Sequence, residues 1–404
     1  ERLRITEGGA LQVGTAYTLP TSDGTNGQVL TTDGSGALSF ATASGGGSPD
    51  LYSDSANVSA VTPTSNAGGS YNSVAIGNGA DIGSGRGDSI AIGTDALTNQ
   101  SQALAIGRSA TVNSSGTWGT AVGRNSVVNG QSAVALGNSY SAGTDSLAAV
   151  IDTNSSSYGA TSANSIAMGS QAKATGSDAV AIGDRNVASG NGSVALAARS
   201  TASGNNSVSI GFLSDATGAS SVALGSGYGF SGPQATFYNS IAIGQGSLSD
   251  KIGKVAISGF GFSSSGDGQH GIFVLRVATT NATATPLITG PDFAGSYTAD
   301  DENQIILPNN SAYAFHGTIV ARQQASGGTA CAAWKVEGLI RREGSAGTTV
   351  LVNSATTVLD NTPSWGMALS ADTTNGGLAI TVTGAASTNI RWVATIHTSE
   401  VTYA

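Results

Sequence analysis

Glutamate occurs in this chain only as Glu1, Glu7, Glu302, Glu337, Glu343 and Glu400, leaving nearly 300 consecutive residues without one. A glycosidase needs two carboxylates facing each other across a sugar groove. The aspartates that remain, such as Asp88, Asp178 and Asp184, sit beside Gly or Asn, where capping the turn backbone is the usual task of the side chain. No enzyme is expected from this pattern. His270, His316 and His397 lack the close spacing of a metal cluster and are read as isolated structural histidines, so no metal is expected. The single cysteine, Cys331, excludes an intrachain disulfide and a Cys-rich zinc site, and is expected to be a small buried hydrophobe. Glycines follow no strand-to-helix pattern that could cradle a phosphate, and no cofactor is expected. The Arg86–Asp88 "RGD" tripeptide, in Gly-rich surroundings, carries little information. Aromatic residues gather in one place, Tyr228, Phe230, Phe237 and Tyr238. Such rings either fold back to cap an exposed edge or offer their faces to a sugar. With Trp365 they are the candidate receptor-binding residues.

The elements that must position these residues have an unusual composition. Of 404 residues 58 are glycine, 10% are charged and 6% aromatic, yet 39% are hydrophobic. The hydrophobic residues are periodic, which argues for order rather than a polar disordered chain. The formal net charge of -9, with no basic cluster larger than Arg341–Arg342, excludes a nucleic-acid footprint. No apolar run reaches the ~20 residues of a membrane helix, and no signal peptide is expected. The chain opens without methionine, as expected for the ordered part of something longer.

A short string ending in "VAIG" recurs at Gly77, Gly93, Gly107, Gly123, Gly137, Val150, Gly169, Gly183, Ala197, Gly211, Gly225, Gly244 and Ser258. The modal interval is 14 residues, with two intervals of 19. Each unit is too short for a helical hairpin and too rich in Gly, Ser and Thr for helix. It fits two short strands and two turns, which is one coil of a parallel solenoid. Thirteen coils stacked ~4.8 Å apart make a rod of roughly 60 Å. Alternation along the strand puts Val74 and Ile76 on one face and Ala75 on the other. The aliphatic positions fail only at Thr120 and Ala149, and the middle position is alanine except at Ser209. Restriction on both faces implies burial on both, and a coil of two short strands can cover only one. The second must be covered by another chain, unless a monomeric solenoid merely has a narrow alanine stripe. Aliphatics are expected inside the coil and alanines at the contact.

The repeats from Tyr71 to Ser258 resemble the head of trimeric autotransporter adhesins. The resemblance implies a left-handed parallel β-roll assembled as a homotrimer. It fails at the flanks, because neither coiled-coil heptads nor a transmembrane-barrel pattern follows. Tyr17–Phe40, with a "QVLTT" strand between two Gly turns, instead resembles a module of tailed-bacteriophage fibres, marine ones especially, and the C-terminal part is similar to terminal domains of cyanophage-type fibres.

The expected fold class is therefore all-β: a β-roll followed by an antiparallel jelly-roll-like sandwich. Its expected parts are an N-terminal attachment module at 1–50, a roll at 51–258, a Gly/Ser linker at 259–270 and a sandwich at 271–404. Alternation of Trp334, Val336, Gly338 and Ile340 against Lys335, Glu337 and Leu339 marks half-buried strands in the last part. The expected function is structural and host-attaching: a homotrimeric phage tail fibre in the virion. Its N-terminal region would meet other tail or virion proteins, and its sandwich a host glycan or outer-membrane receptor. The alternatives are a bacterial trimeric adhesin, a capsid decoration fibre or, third, a polysaccharide-degrading tail spike.

Overall fold

The computed structural model describes residues 3–13, 17–20, 22–42, 72–150, 157–228, 231–291, 295, 297–361 and 363–403. The chain divides into two compact units, Glu1–Pro63 and Thr64–Ala404. The division thus falls after Pro63 rather than after residue 50, and none separates the roll from the sandwich. Among the described residues there is no α-helix, and none is long and apolar enough to cross a membrane.

In the first unit Leu3–Ile5, Leu11–Val13 and Tyr17–Thr18 form an antiparallel sheet, and Gln28–Thr32 pairs with Leu38–Thr42. The second hairpin turns at Asp33, whose carboxylate accepts the N–H groups of Ser35 and Ala37. No described residue of this unit is buried.

In the second unit the repeats form two parallel ladders. Among the described residues thirteen strands from Val74–Ile76 to Val255–Ile257 stack in one, and twelve two-residue strands from Asp81–Ile82 to Leu248–Ser249 in the other. The middle residues stay in register from coil to coil, as in Ala167, Ala181, Ala195, Ser209 and Ala223. Each coil reverses through residues of positive φ, among them Asn72, Asp88, Asn164 and Asp178. Asp and Asn tolerate that conformation, and their side chains bond between coils, Asn164 Nδ2 to Asp178 Oδ1 at 2.8 Å. Gly107 is needed for a second reason. Its φ is +130°, and a Cβ there would lie 2.6 Å from the backbone of Gly123 in the next coil.

The expected assignment of the two faces is reversed. The alanines from Ala75 to Ala256 fill the coil at 2% exposure or less, while Val74, Ile90, Leu136, Met168, Ile182, Ile210, Ile243 and Ile257 point outward at 37–42%. The reason is the width of the coil. The second ladder also turns a residue inward in every coil, Ile82, Val112 and Val128 in the early coils and Ala174, Ala188, Ala202 and Ala216 later, so the space between the ladders leaves the long ladder room only for alanine or serine.

Beyond the roll the described residues form nine strands, numbered here within the sandwich: β1 Gly268–Thr279, β2 Ala284–Pro286, β3 Ile305–Ile306, β4 Ser311–Gln323, β5 Cys331–Arg342, β6 Val350–Asp360, β7 Gly366–Asp372, β8 Gly377–Thr383 and β9 Ile390–Thr402. One antiparallel sheet runs β1-β9-β4-β5-β6; in the other, β8 pairs with β7 along one side and with β2 and β3 along the other. A single core between them holds Phe273, Leu275, Tyr313, Ile319, Trp334, Ile380 and Trp392. β5 alternates as expected, with Trp334, Val336 and Ile340 buried and Lys335 and Glu337 exposed. Cys331 is exposed, not buried, because it lies in the outward phase of that alternation.

Residues 259–270 do not act as a linker. The Asp267 carboxylate accepts the N–H groups of Phe262, Ser263 and Ser264 at 2.6–2.7 Å, which shapes the turn. β1 then pairs antiparallel with Val255–Ile257, so the sandwich sheet continues the roll's ladder. Burial alone would raise the Asp267 carboxyl, but these N–H groups and the Ser263 hydroxyl outweigh it and hold the group below the ordinary Asp value.

The roll ends on a charge. Coils below carry Ser221 or Ser240 just before the long-ladder strand; the last carries Lys254, buried, with its Nζ 2.8 Å from Glu400 Oε2 on β9. Gln269 and the Thr398 hydroxyl donate to the same carboxylate at 2.7 Å. Burial alone would lower the Lys254 ammonium, yet Glu400 and Asp250 raise it above the usual lysine value. Tyr313 is held protonated well above the usual phenol range by burial and by the Glu400 charge.

Candidate receptor-binding site

Five residues were expected to meet a receptor, and the structure separates them. Phe237 and Tyr238 line one cleft of about 490 Å³. Tyr228 is 87% exposed on the insertion, where its carbonyl accepts Gln245 Nε2 at 2.7 Å, and it does not line that cleft. Phe230 lies outside the described residues. Trp365 is corrected: at 5% exposure it packs in the sandwich core with its ring 5.6 Å from that of Trp392, so it has no free face for a sugar.

The cleft opens where a turn of the roll meets the sandwich. Phe237 takes the place held one coil earlier by Gly218, and Gly218 must be glycine because a Cβ there would lie 2.0 Å from the Phe237 carbonyl. The Ser240 hydroxyl donates to that carbonyl at 2.7 Å and fixes the turn. Thr217, Thr236 and Ile252 line the cleft from the roll, and Pro291, Gly295 and Glu302 form its wall from the sandwich. Asp300 Oδ1 accepts the N–H groups of Glu302 and Asn303, and the Glu302 carbonyl accepts the N–H of Ile252, tying the wall to the roll. Lys251 lies over the Phe237 ring at 5.8 Å.

An aromatic pair, hydroxyls and one carboxylate are groups that the C–H faces and hydroxyls of a sugar could meet. Among the described residues of the lining, Glu302 is the sole carboxylate. Sequence reasoning found the two rings but missed Glu302, because nothing in its own stretch shows that the loop folds against the roll.

The histidines are not isolated. His270, His397 and His316 lie on the neighbouring strands β1, β9 and β4 as a stack with centroids 5.5 and 5.3 Å apart. They occupy the same outer face as Val255 and Ile257, since Ile257 pairs with His270. Among the described residues no group of His, Cys, Asp or Glu is arranged to hold a metal.

Six stretches of the roll, residues 87–110, 114–139, 160–186, 174–196, 187–207 and 202–227, match the YadA head domain repeat. The central part of the chain is thus an adhesin-like β-roll. Among curated proteins none matches the chain. Similar solved structures include the tailspike protein of Acinetobacter baumannii phage AM24, at 9% identity over 81% of this chain and 54% of that one, with a TM-score of 0.19. Another is a tailspike of Acinetobacter baumannii bacteriophage Fri1, described as a capsular polysaccharide depolymerase, at 11% identity over 77% of this chain and 59% of that one, with a TM-score of 0.22. The chain spans a little over half the length of these structures.

Proposed function

We propose that the protein is a non-enzymatic, homotrimeric bacteriophage tail fibre, with the roll as a stiff shaft and the sandwich end as the part that grips a cell-surface glycan. The observation that carries this reading is the outward aliphatic column. Fully burying an aliphatic side chain contributes about 1.5–3 kcal/mol, so covering the remaining two-fifths contributes roughly 0.6–1.2 kcal/mol per residue. The eight residues exposed to that degree give on the order of 5–10 kcal/mol per copy, to which the half-buried aliphatics between them add, and this is comparable with the ~4–15 kcal/mol cost of association. Three copies is the number implied by the resemblance of the repeats. Trimerisation also sets three shallow clefts on one rod, and such multivalency raises avidity by roughly 10² to 10⁴.

Binding rather than cleavage is supported by the single described carboxylate at the cleft, since hydrolysis of a glycosidic bond uses a pair. The test is binding of the full chain to purified capsular polysaccharides and lipopolysaccharide O-chains, with reducing ends measured in parallel. Binding that weakens in Phe237→Ala and Tyr238→Ala without release of reducing ends is the expected result. Release that disappears in Glu302→Gln would make the protein a depolymerase instead.

A further inference from the structure

The outer face of the large sheet changes character along its length. Near the roll it carries Ile272, Val274 and the histidines; at the far end it carries Arg276 on β1, Arg391 on β9 and Arg322 on β4. Arg322 and Arg391 stand directly opposite each other in the β4–β9 ladder, and Ala278 of β1 is the next neighbour of Arg391. Like charges directly opposed across strands destabilise a sheet. All three side chains are exposed, and among the described residues none forms a salt bridge. This uncompensated positive patch stands out on a chain of net charge -9. Nor does it suit a contact between copies, because guanidiniums brought together and desolvated without partners are strongly unfavourable.

Arg391 also divides two clefts. One, of about 550 Å³, is lined by Arg322, Gln323, Gln324 and Asn389. Its amides are preset, with Asn389 Nδ2 donating to Gln324 Oε1 at 2.7 Å. The other, of about 470 Å³, is lined by Arg276, Gly290 and Tyr297, whose ring is 74% exposed. A guanidinium shared by two adjacent clefts, one with a free aromatic face and one with amides, matches a polymer whose successive units each offer a ring to stack and a carboxylate to grip.

We propose that Arg276, Arg322 and Arg391 form a binding site for an acidic polysaccharide, with uronate carboxylates on the guanidiniums and a sugar ring on Tyr297. The site is separate from the Tyr238 cleft and stands whether or not that cleft binds glycan. The test measures the affinity of the full chain for polygalacturonate, alginate and hyaluronate, with carboxyl-reduced polygalacturonate and a single-stranded oligonucleotide as comparison probes. At least one polyuronate is expected to bind, with affinity falling tenfold or more in Arg391→Gln and Arg322→Gln and strongly in Arg391→Lys, which keeps charge but loses the fork. Lys335→Gln, on the same face but paired with Glu337, is expected to leave binding unchanged. Failure of all three polyuronates to bind, equal binding by the arginine variants, or an oligonucleotide bound as tightly as the polyuronate would each overturn the proposal.

Discussion

Replacing Lys254 by Met tests how the sandwich is fastened to the roll. The ammonium and the Glu400 carboxylate are 2.8 Å apart with 2% and 0% of their side chains exposed. At an effective dielectric of about 20 their attraction is roughly 6 kcal/mol, offset by a desolvation cost of several kcal/mol for each ion. The net worth of the intact pair is therefore small, but removing one partner leaves a buried uncompensated charge. Lys254→Met is expected to cost about 3–5 kcal/mol at pH 7. Lys254→Met/Glu400→Gln is expected to recover most of that, because no buried charge remains and the Gln carbonyl still accepts from Gln269, while its amide N–H can donate to the Thr398 hydroxyl. Urea unfolding followed by tryptophan fluorescence is suited to this, since Trp334, Trp365 and Trp392 cluster in the sandwich core. A deficit under ~1 kcal/mol, or a double variant no more stable than Lys254→Met, would refute the reasoning.

Further substitutions probe the roll and its exit. Ala181→Leu overpacks the coil between Ala167 and Ala195 and should cost at least ~1–3 kcal/mol in thermal melts at any protein concentration. Ile182→Asn, one residue away but outward, should spare the melt at high concentration and lower the measured mass on dilution. The Ser193, Ser207 and Ser221 hydroxyls are buried with no partner, in the row where other coils place Ala133 or Ala179. Ser207→Ala should accordingly be neutral or stabilising by up to ~1 kcal/mol, read from the melting temperature. Asp267→Asn should cost ~1–3 kcal/mol at neutral pH by losing charge-assisted bonds. Because the Asp267 carboxyl is depressed, its contribution is present above the unfolded value near ~3.9 and fades as pH falls through the folded one. The gap between the variant and the original chain should therefore close in acid, as measured by melting at pH 7 and pH 3.

The repeat made the roll legible. A period of 14 with Ala at one fixed position fixes both the parallel stacking and its register, which the structure keeps from Ala75 to Ala256. Alternation showed two constrained faces but not which was inside. The clue was in the short ladder, where Ala174, Ala188 and Ala202 also offer only methyl groups to the interior. Cys331 could have been placed by counting back from Lys335 in the outward phase of β5. The histidine stack and the arginine end of the sheet had no local signal, because the antiparallel register that sets His316 opposite His397 and Arg322 opposite Arg391 joins strands far apart in sequence. Trp365 was misread because one aromatic residue before a strand looks alike whether it turns toward a partner or into a core.

The outward aliphatic column makes the most exposed claim of this account, that the roll is stable only when copies cover it. Sedimentation equilibrium across nanomolar to micromolar concentrations tests it directly. A folded particle of three times the 39.6 kDa chain mass is expected, with any dissociation on dilution accompanied by a lower melting temperature. A folded particle of one chain mass at micromolar concentration, melting at the same temperature at every dilution, would contradict it.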